Sequence, residues 1–198
     1  MKKFLFLVLC SFFLSTSCEE EDRTIFIADE NDSHLPAYSE WGYNSFGAIY
    51  ERSYFLVSSG ITPCKITYQH GFLNFYLIGK VHLGSSTEMV LTFSFPSLPM
   101  NNYADLVQLN KTTIDLLDTS CTVKIEVDGI EEIITPLSGS LTFKRTQLLK
   151  IDGEQNRVII SGIFDMTFLR KGRPEKISKG RFDIGINSDF YVFPEETK

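Results

Sequence analysis

Histidine is scarce in this chain, with three among 198 residues. His34, His70 and His82 stand far apart, none with a partner at a metal-motif spacing, and each reads as a surface residue of a turn or strand. Cysteine is nearly as rare, at four. Beyond the first residues no apolar run approaches the roughly 20 needed to span a membrane. Cations are outnumbered, 19 Lys and Arg against 25 Asp and Glu, for a net charge of −6. A field of that sign repels phosphate backbones, which argues against nucleic acid as a partner. No acid, base and nucleophile converge in a recognisable pattern, so the chain reads as a non-enzyme with no metal and no cofactor.

What is present begins at the N-terminus. Lys2 and Lys3 precede an apolar run, Phe4 to Leu14, broken only by Cys10 and Ser11, which is the layout of a secretory signal. Ser15, Thr16, Ser17 and Cys18 follow, three small residues and a thiol. They resemble a lipobox, although Leu14 stands one place further from the cysteine than usual. Residues 1–17 are therefore expected to be cleaved and Cys18 to carry lipid, so that the mature chain is anchored to a membrane and not threaded through it. Removal of this leader takes two lysines and no acid, leaving the remainder more negative still.

Glu19, Glu20, Glu21 and Asp22 form a run that stays solvated. Cys18 followed by these acids resembles the export signal of Bacteroidetes surface lipoproteins, which implies display on the outer face of the outer membrane. Residues 18–40 read as the anchor and a polar tether, since only Ile25, Phe26, Ile27 and Leu35 interrupt the polar character of 23–39.

From residue 41 to 187 the dominant period is two, with β-branched and aromatic residues bounded by Gly, Asn, Asp and Pro. Strands are predicted at 45–57, 65–69, 73–83, 88–95, 122–127, 130–135, 139–151, 157–169 and 176–186. Asp128-Gly129 is a two-residue hairpin signal, and Asp152-Gly153 opens a longer turn. Gly162, Phe164, Met166 and Phe168 share one face; Phe182, Ile184 and Ile186 face in, while Arg181, Asp183 and Asn187 face out. The expected fold is all-β, an antiparallel two-sheet sandwich, with a lipocalin-like barrel as the alternative and one short helix within 101–119. Residues 188–198 form a C-terminal tail containing the apolar stretch Phe190 to Phe193.

Two stretches carry a resemblance. Asn44-Ser45-Phe46-Gly47-Ala48, together with Ser161-Gly162-Ile163-Phe164-Asp165 and Gly180-Arg181-Phe182-Asp183, resembles a family of small Bacteroidetes lipoproteins of unknown function. The chain departs from that family after the first strand, where Glu51-Arg52-Ser53-Tyr54 replaces its usual Asn-Gly turn and tryptophan. The resemblance implies address and fold; it brings no activity.

Four groups of residues could carry chemistry. Asp165 and Asp183, each following Gly-x-Phe, would suit a carboxylate pair, but on the outward face they suit cross-strand ion pairs better. Asp29, Asn31, Ser33 and Glu40 fall at calcium-loop spacing, with His34 where the loop wants glycine. Cys64 and Cys121 form an even pair in a compartment that permits disulfides, the alternative being two separate buried thiols; Cys64 with His70 as nucleophile and base is the weaker reading. Aromatics gather between Tyr38 and Phe55, and of these Trp41 and Tyr43 precede the strand pattern and are the candidates for ligand contact.

The expected function is that of a lipid-anchored, non-catalytic binding module at the cell surface, with glycan as its ligand. A structural or interaction subunit with an envelope protein partner is the alternative, and a hydrolase ranks last.

Overall fold

The protein is described from a computed structural model, which covers residues 24–58, 62–82, 86–151, 154–187 and 191–192. The leader, Cys18, the acids Glu19 to Asp22 and the Asp152-Gly153 turn lie outside these residues. Eleven strands are formed: β1 (Ser45–Tyr50), β2 (Ser53–Leu56), β3 (Cys64–Gln69), β4 (Phe72–His82), β5 (Ser86–Pro96), β6 (Thr112–Asp115), β7 (Thr122–Val127), β8 (Ile130–Ile151), β9 (Glu154–Arg170), β10 (Arg173–Ile186) and β11 (Tyr191–Val192). Among the described residues one short 3₁₀ helix, Tyr103–Leu109, precedes β6. The all-β reading therefore holds, with the single short helix inside the stretch where it was expected.

The sheet is not a sandwich. It runs β4-β2-β1-β10-β9-β8-β7-β5, and β5 pairs again with β4, closing an antiparallel barrel of eight strands. The barrel alternative is thus the correct one, and the physical reason is plain: one buried and one wet face give the same period of two in both architectures. What closes the ring is β4, whose one edge takes β2 and β3 and whose other takes β5 along its whole length. Irregular registers at Ile177/Gly180 in β10 and at Pro136/Ser138 and Phe143/Arg145 in β8 lie where these long strands pair with β9, and bulges add the bend a closed wall needs.

Turn chemistry sets the connections. His70-Gly71, Asp128-Gly129 and Lys171-Gly172 each hold both residues at positive φ and join strands paired on either side, the geometry of two-residue hairpins that follows strand twist. Of the three, only Asp128-Gly129 was read in advance. The stretch 45–57 is two strands because Glu51, at φ 55°, turns the chain back within two residues. Residues 130–151 are one strand where two were expected, continuous through the bulge after Pro136.

The interior is filled. Nine phenylalanines, at positions 46, 55, 75, 93, 95, 143, 164, 168 and 182, are essentially inaccessible. Phe75 of β4 meets Phe182 of β10 at 5.0 Å and Phe143 of β8 at 5.7 Å between ring centroids, and Phe93 of β5 meets Phe164 of β9 at 5.6 Å. Each of these pairs is three strands apart around the ring, so the contacts cross the lumen. Leu106 and Leu109 of the 3₁₀ helix join the same core. Tilted and edge-on rings at this separation are favourable beyond their buried area.

Residues 24–44, read from the sequence mostly as tether, lie against the outside of the barrel. Ala28 bridges Pro36, Leu35 is fully buried, and the Ile25 amide donates to the Tyr43 carbonyl at 2.8 Å. A Cβ on Gly47 would stand 2.4 Å from Pro36 Cδ, so β1 needs glycine there for this cover to seat.

Candidate functional site

Asp183 faces outward, as the alternation requires, yet it is buried beneath the N-terminal cover. Its carboxylate accepts from the Ser39 hydroxyl, from the backbone amides of Trp41 (3.1 Å), Gly42 (2.8 Å) and Tyr43 (3.3 Å), and from the Ser161 hydroxyl (2.9 Å). Three successive amides converging on one carboxylate fix the turn 39–43. Asn44 adds a bond from the Gly185 amide to its Oδ1 at 3.0 Å. This turn presents Trp41, the only tryptophan, with 73% of its surface exposed.

Beneath Trp41 runs a groove of about 250 Å³ lined by Tyr38, Ser39, Glu40, Trp41, Arg145 and Gln147. It shares Glu40, Arg145 and Gln147 with an adjoining depression of about 430 Å³ that reaches Asn110, Lys111, Lys144 and Thr146. The floor is a polar chain. Tyr38 donates to Glu40 Oε1 at 2.9 Å, Arg145 Nη1 to Glu40 Oε2 at 3.1 Å, and Arg145 Nε to Gln147 Oε1 at 2.9 Å. Partial burial, and then the bond to Glu40, push the Tyr38 phenol above its ordinary range, so it stays a neutral donor. The backbone amide of Thr146 donates to Asn110 Oδ1 at 2.9 Å, tying β8 to the end of the 3₁₀ helix.

An exposed indole beside a tyrosine, a carboxylate, a guanidinium and an amide can stack a flat apolar face and exchange hydrogen bonds at its rim. Of the two aromatics singled out from sequence, Trp41 lines this groove and Tyr43 does not: Tyr43 is half-buried, its backbone spent on Asp183 and Ile25. Tyr38 stands in its place. The cationic end, Lys111 to Arg145, was missed. Its residues come from two segments far apart in the chain, and no local pattern marked them.

The remaining candidates do not converge. Asp165 is exposed, while Asp183 pairs in register with Ser161, four residues away along β9 or about 13 Å, and is saturated by its five donors. Asp29 bonds Arg181 at 2.5 Å and accepts from the Asn31 amide at 2.9 Å; Glu40 is held by Arg145. Both carboxylates of the calcium spacing are therefore committed elsewhere, and no cluster of three or more metal-type ligands occurs among the described residues.

Cys64 and Cys121 are free thiols, so the disulfide considered from sequence is not formed. The registers explain why: Cys64 opposes Leu77, whereas Cys121 adjoins Thr122, which opposes Ser94 two strands further round. That puts the thiols beyond the roughly 7 Å between Cα atoms that a bridge tolerates. Burial pushes both thiols up in pKa, Cys121 with help from Asp118 and Asp115, and His70 sits in the turn at the far end of β3 from Cys64. A thiolate nucleophile has no support there.

Of the apolar tail, the described residues Tyr191 and Val192 pair in parallel with Ile66 and Thr67 of β3. The scan of family models, the search of curated proteins and the search of solved structures each found no match to this chain.

Proposed function

We propose that the protein is a lipid-anchored, non-catalytic module of the outer cell surface that binds a carbohydrate chain in the groove under Trp41. The observation that carries this reading is the indole itself: a large apolar surface held in water on a turn that a buried carboxylate makes rigid. Exposing tryptophan costs hydrophobic free energy, and a fixed backbone beneath the ring lowers the ordering cost of a later contact. A pyranose offers one C–H face to such a ring and hydroxyls to Glu40, Arg145 and Gln147. The filled barrel supports an exterior site, since phenylalanines occupy the middle of the space where a lipocalin-like binder would keep its ligand. The leader pattern, Cys18 and the acids Glu19 to Asp22 supply the address by resemblance.

The test is a glycan array probed with the full chain in detergent and with Trp41→Ala. The reading expects carbohydrate binding in the parent and at least a tenfold loss in the variant. Stability should move by no more than about 0.5 kcal/mol, as at other exposed positions. Equal binding by both proteins would place the ligand elsewhere.

One observation favours an interaction subunit instead. Ile130, Ile133, Leu137 and Leu169 are 73%, 67%, 46% and 38% exposed toward the other end of β8 from the groove, where a depression of about 430 Å³ is lined by Ile130 with Asp128, Glu131, Glu132, Arg170 and Lys171. That surface suits an envelope protein partner, and the two readings are compatible because the sites are separate.

A further inference from the structure

The groove's charge runs against that of the molecule. The chain is net −6, yet the wider part of the groove is lined by three cations, Lys111, Lys144 and Arg145, against one carboxylate, Glu40. Glu40 is already matched to Arg145 at 3.1 Å. Neither Lys111 nor Lys144 makes an ion pair among the described residues. Their placement is also unfavourable: Thr112 of β6 pairs with Phe143 of β8, so the two lysines are the next residues out along paired strands, where like charges destabilise each other. Lys111 sits at φ 61°, a left-handed conformation that favours glycine or asparagine over lysine. Thr146, next along β8, pairs with the buried Ile160 and turns inward, so the groove's polar character on this strand comes from Lys144, Arg145 and Gln147.

Repelling cations and a lysine in a left-handed conformation each cost stability in the free protein. An anionic group seated between the lysines relieves the repulsion by neutralising them. We infer that the groove takes an acidic polysaccharide, its carboxylate or sulfate seated between Lys111, Lys144 and Arg145 while the sugar ring rests on Trp41. This deepens the carbohydrate reading and rests on it. The molecule's overall negative charge does not forbid such a ligand, because at physiological salt charges farther than about 8 Å are largely screened and the local cations dominate.

The experiment is an array of neutral, uronate-bearing and sulfated glycans probed with the full chain in detergent, with Trp41→Ala, and with the double variant Lys111→Gln/Lys144→Gln. Isothermal titration of the best oligosaccharide follows, at low and at raised salt. Both lysines are exposed and repel each other, so the double variant should melt at or slightly above the parent's temperature, which is measured alongside. The inference expects the charged glycans to bind at least tenfold more tightly than neutral analogues of the same sugar. It expects that preference to vanish in the lysine variant and to shrink steeply with salt. Uronate against sulfate is decided by which class is retained. Binding of neutral glycans as tight as that of charged ones, or an undiminished preference in the lysine variant, overturns the acidic ligand and leaves the carbohydrate reading standing. Binding of no glycan at all overturns both.

Discussion

At the scale of single residues, Asp183 links fold to site. It closes the β1–β10 seam from outside, where Ser45 is its register partner, and its carboxylate gathers the turn that presents Trp41. Removing it strands three part-buried amides, at up to about 1–3 kcal/mol for each donor left unpaired. Asp183→Ala should therefore lower stability by about 3 kcal/mol or more in urea unfolding and shift the emission of the only tryptophan, while Ser161→Ala should do less because one of five donors is lost. Asp29 supplies a pH test. The Asn31 amide, and with it the Arg181 guanidinium, hold its carboxyl below the ordinary 3.8 against the opposing effect of desolvation. A depressed folded-state value means that the Asp29 contribution is complete above that ordinary value and is lost as pH falls through the folded one. The stability advantage of the parent over Asp29→Asn should be constant near neutrality and disappear in strong acid, as read by melting temperature against pH.

Among the elements, β9 and its neighbours show why the chain needs particular residues. Gly162 lies between Phe143 on β8 and Phe182 on β10 in register, and the two rings meet over it at 5.7 Å. A Cβ there would come within 2.2 Å of the Thr142 carbonyl oxygen and 2.5 Å of Phe182 Cζ. Gly162→Ala should cost about 1–3 kcal/mol by overpacking, and Phe182→Ala about 3–5 kcal/mol by the cavity left behind, both measurable by denaturant unfolding. The motifs that carried the family resemblance acquire concrete roles in this chain: Asn44 caps Gly185, Phe46 and Phe182 pair across the seam, Ser161 bonds Asp183, and Arg181 pairs with Asp29. Strand positions and facing were legible because alternation reports burial directly. Closure was not, because the one extra pairing that makes a barrel from this sheet, β4 with β5, leaves no trace in any single strand's pattern. Within the site, Trp41 was legible as an aromatic ahead of the strands, whereas Lys111 and Lys144 become neighbours only through the β6–β8 register. Tyr43 could not be told from Trp41 in the sequence; the fold leaves it half-buried and outside the groove lining.

For the whole molecule, the barrel interior is filled by aromatic side chains, so the proposed ligand site lies on its outer face, and the lipid anchor and acidic tether are part of the same proposal. Replacing Glu19, Glu20, Glu21 and Asp22 together by alanine should leave folding intact and strand the protein on the inner side of the outer membrane. Protease added to intact cells would then digest the parent and spare the variant, and equal digestion would remove the export reading. The central claim, that binding happens at the groove outside a filled barrel, is tested most directly by titrating the chain with its best glycan ligand while following tryptophan emission. With one tryptophan in the sequence, every change reports on Trp41. A saturable shift in emission whose midpoint matches the calorimetric affinity is the predicted result; calorimetric binding with unchanged emission would contradict the account.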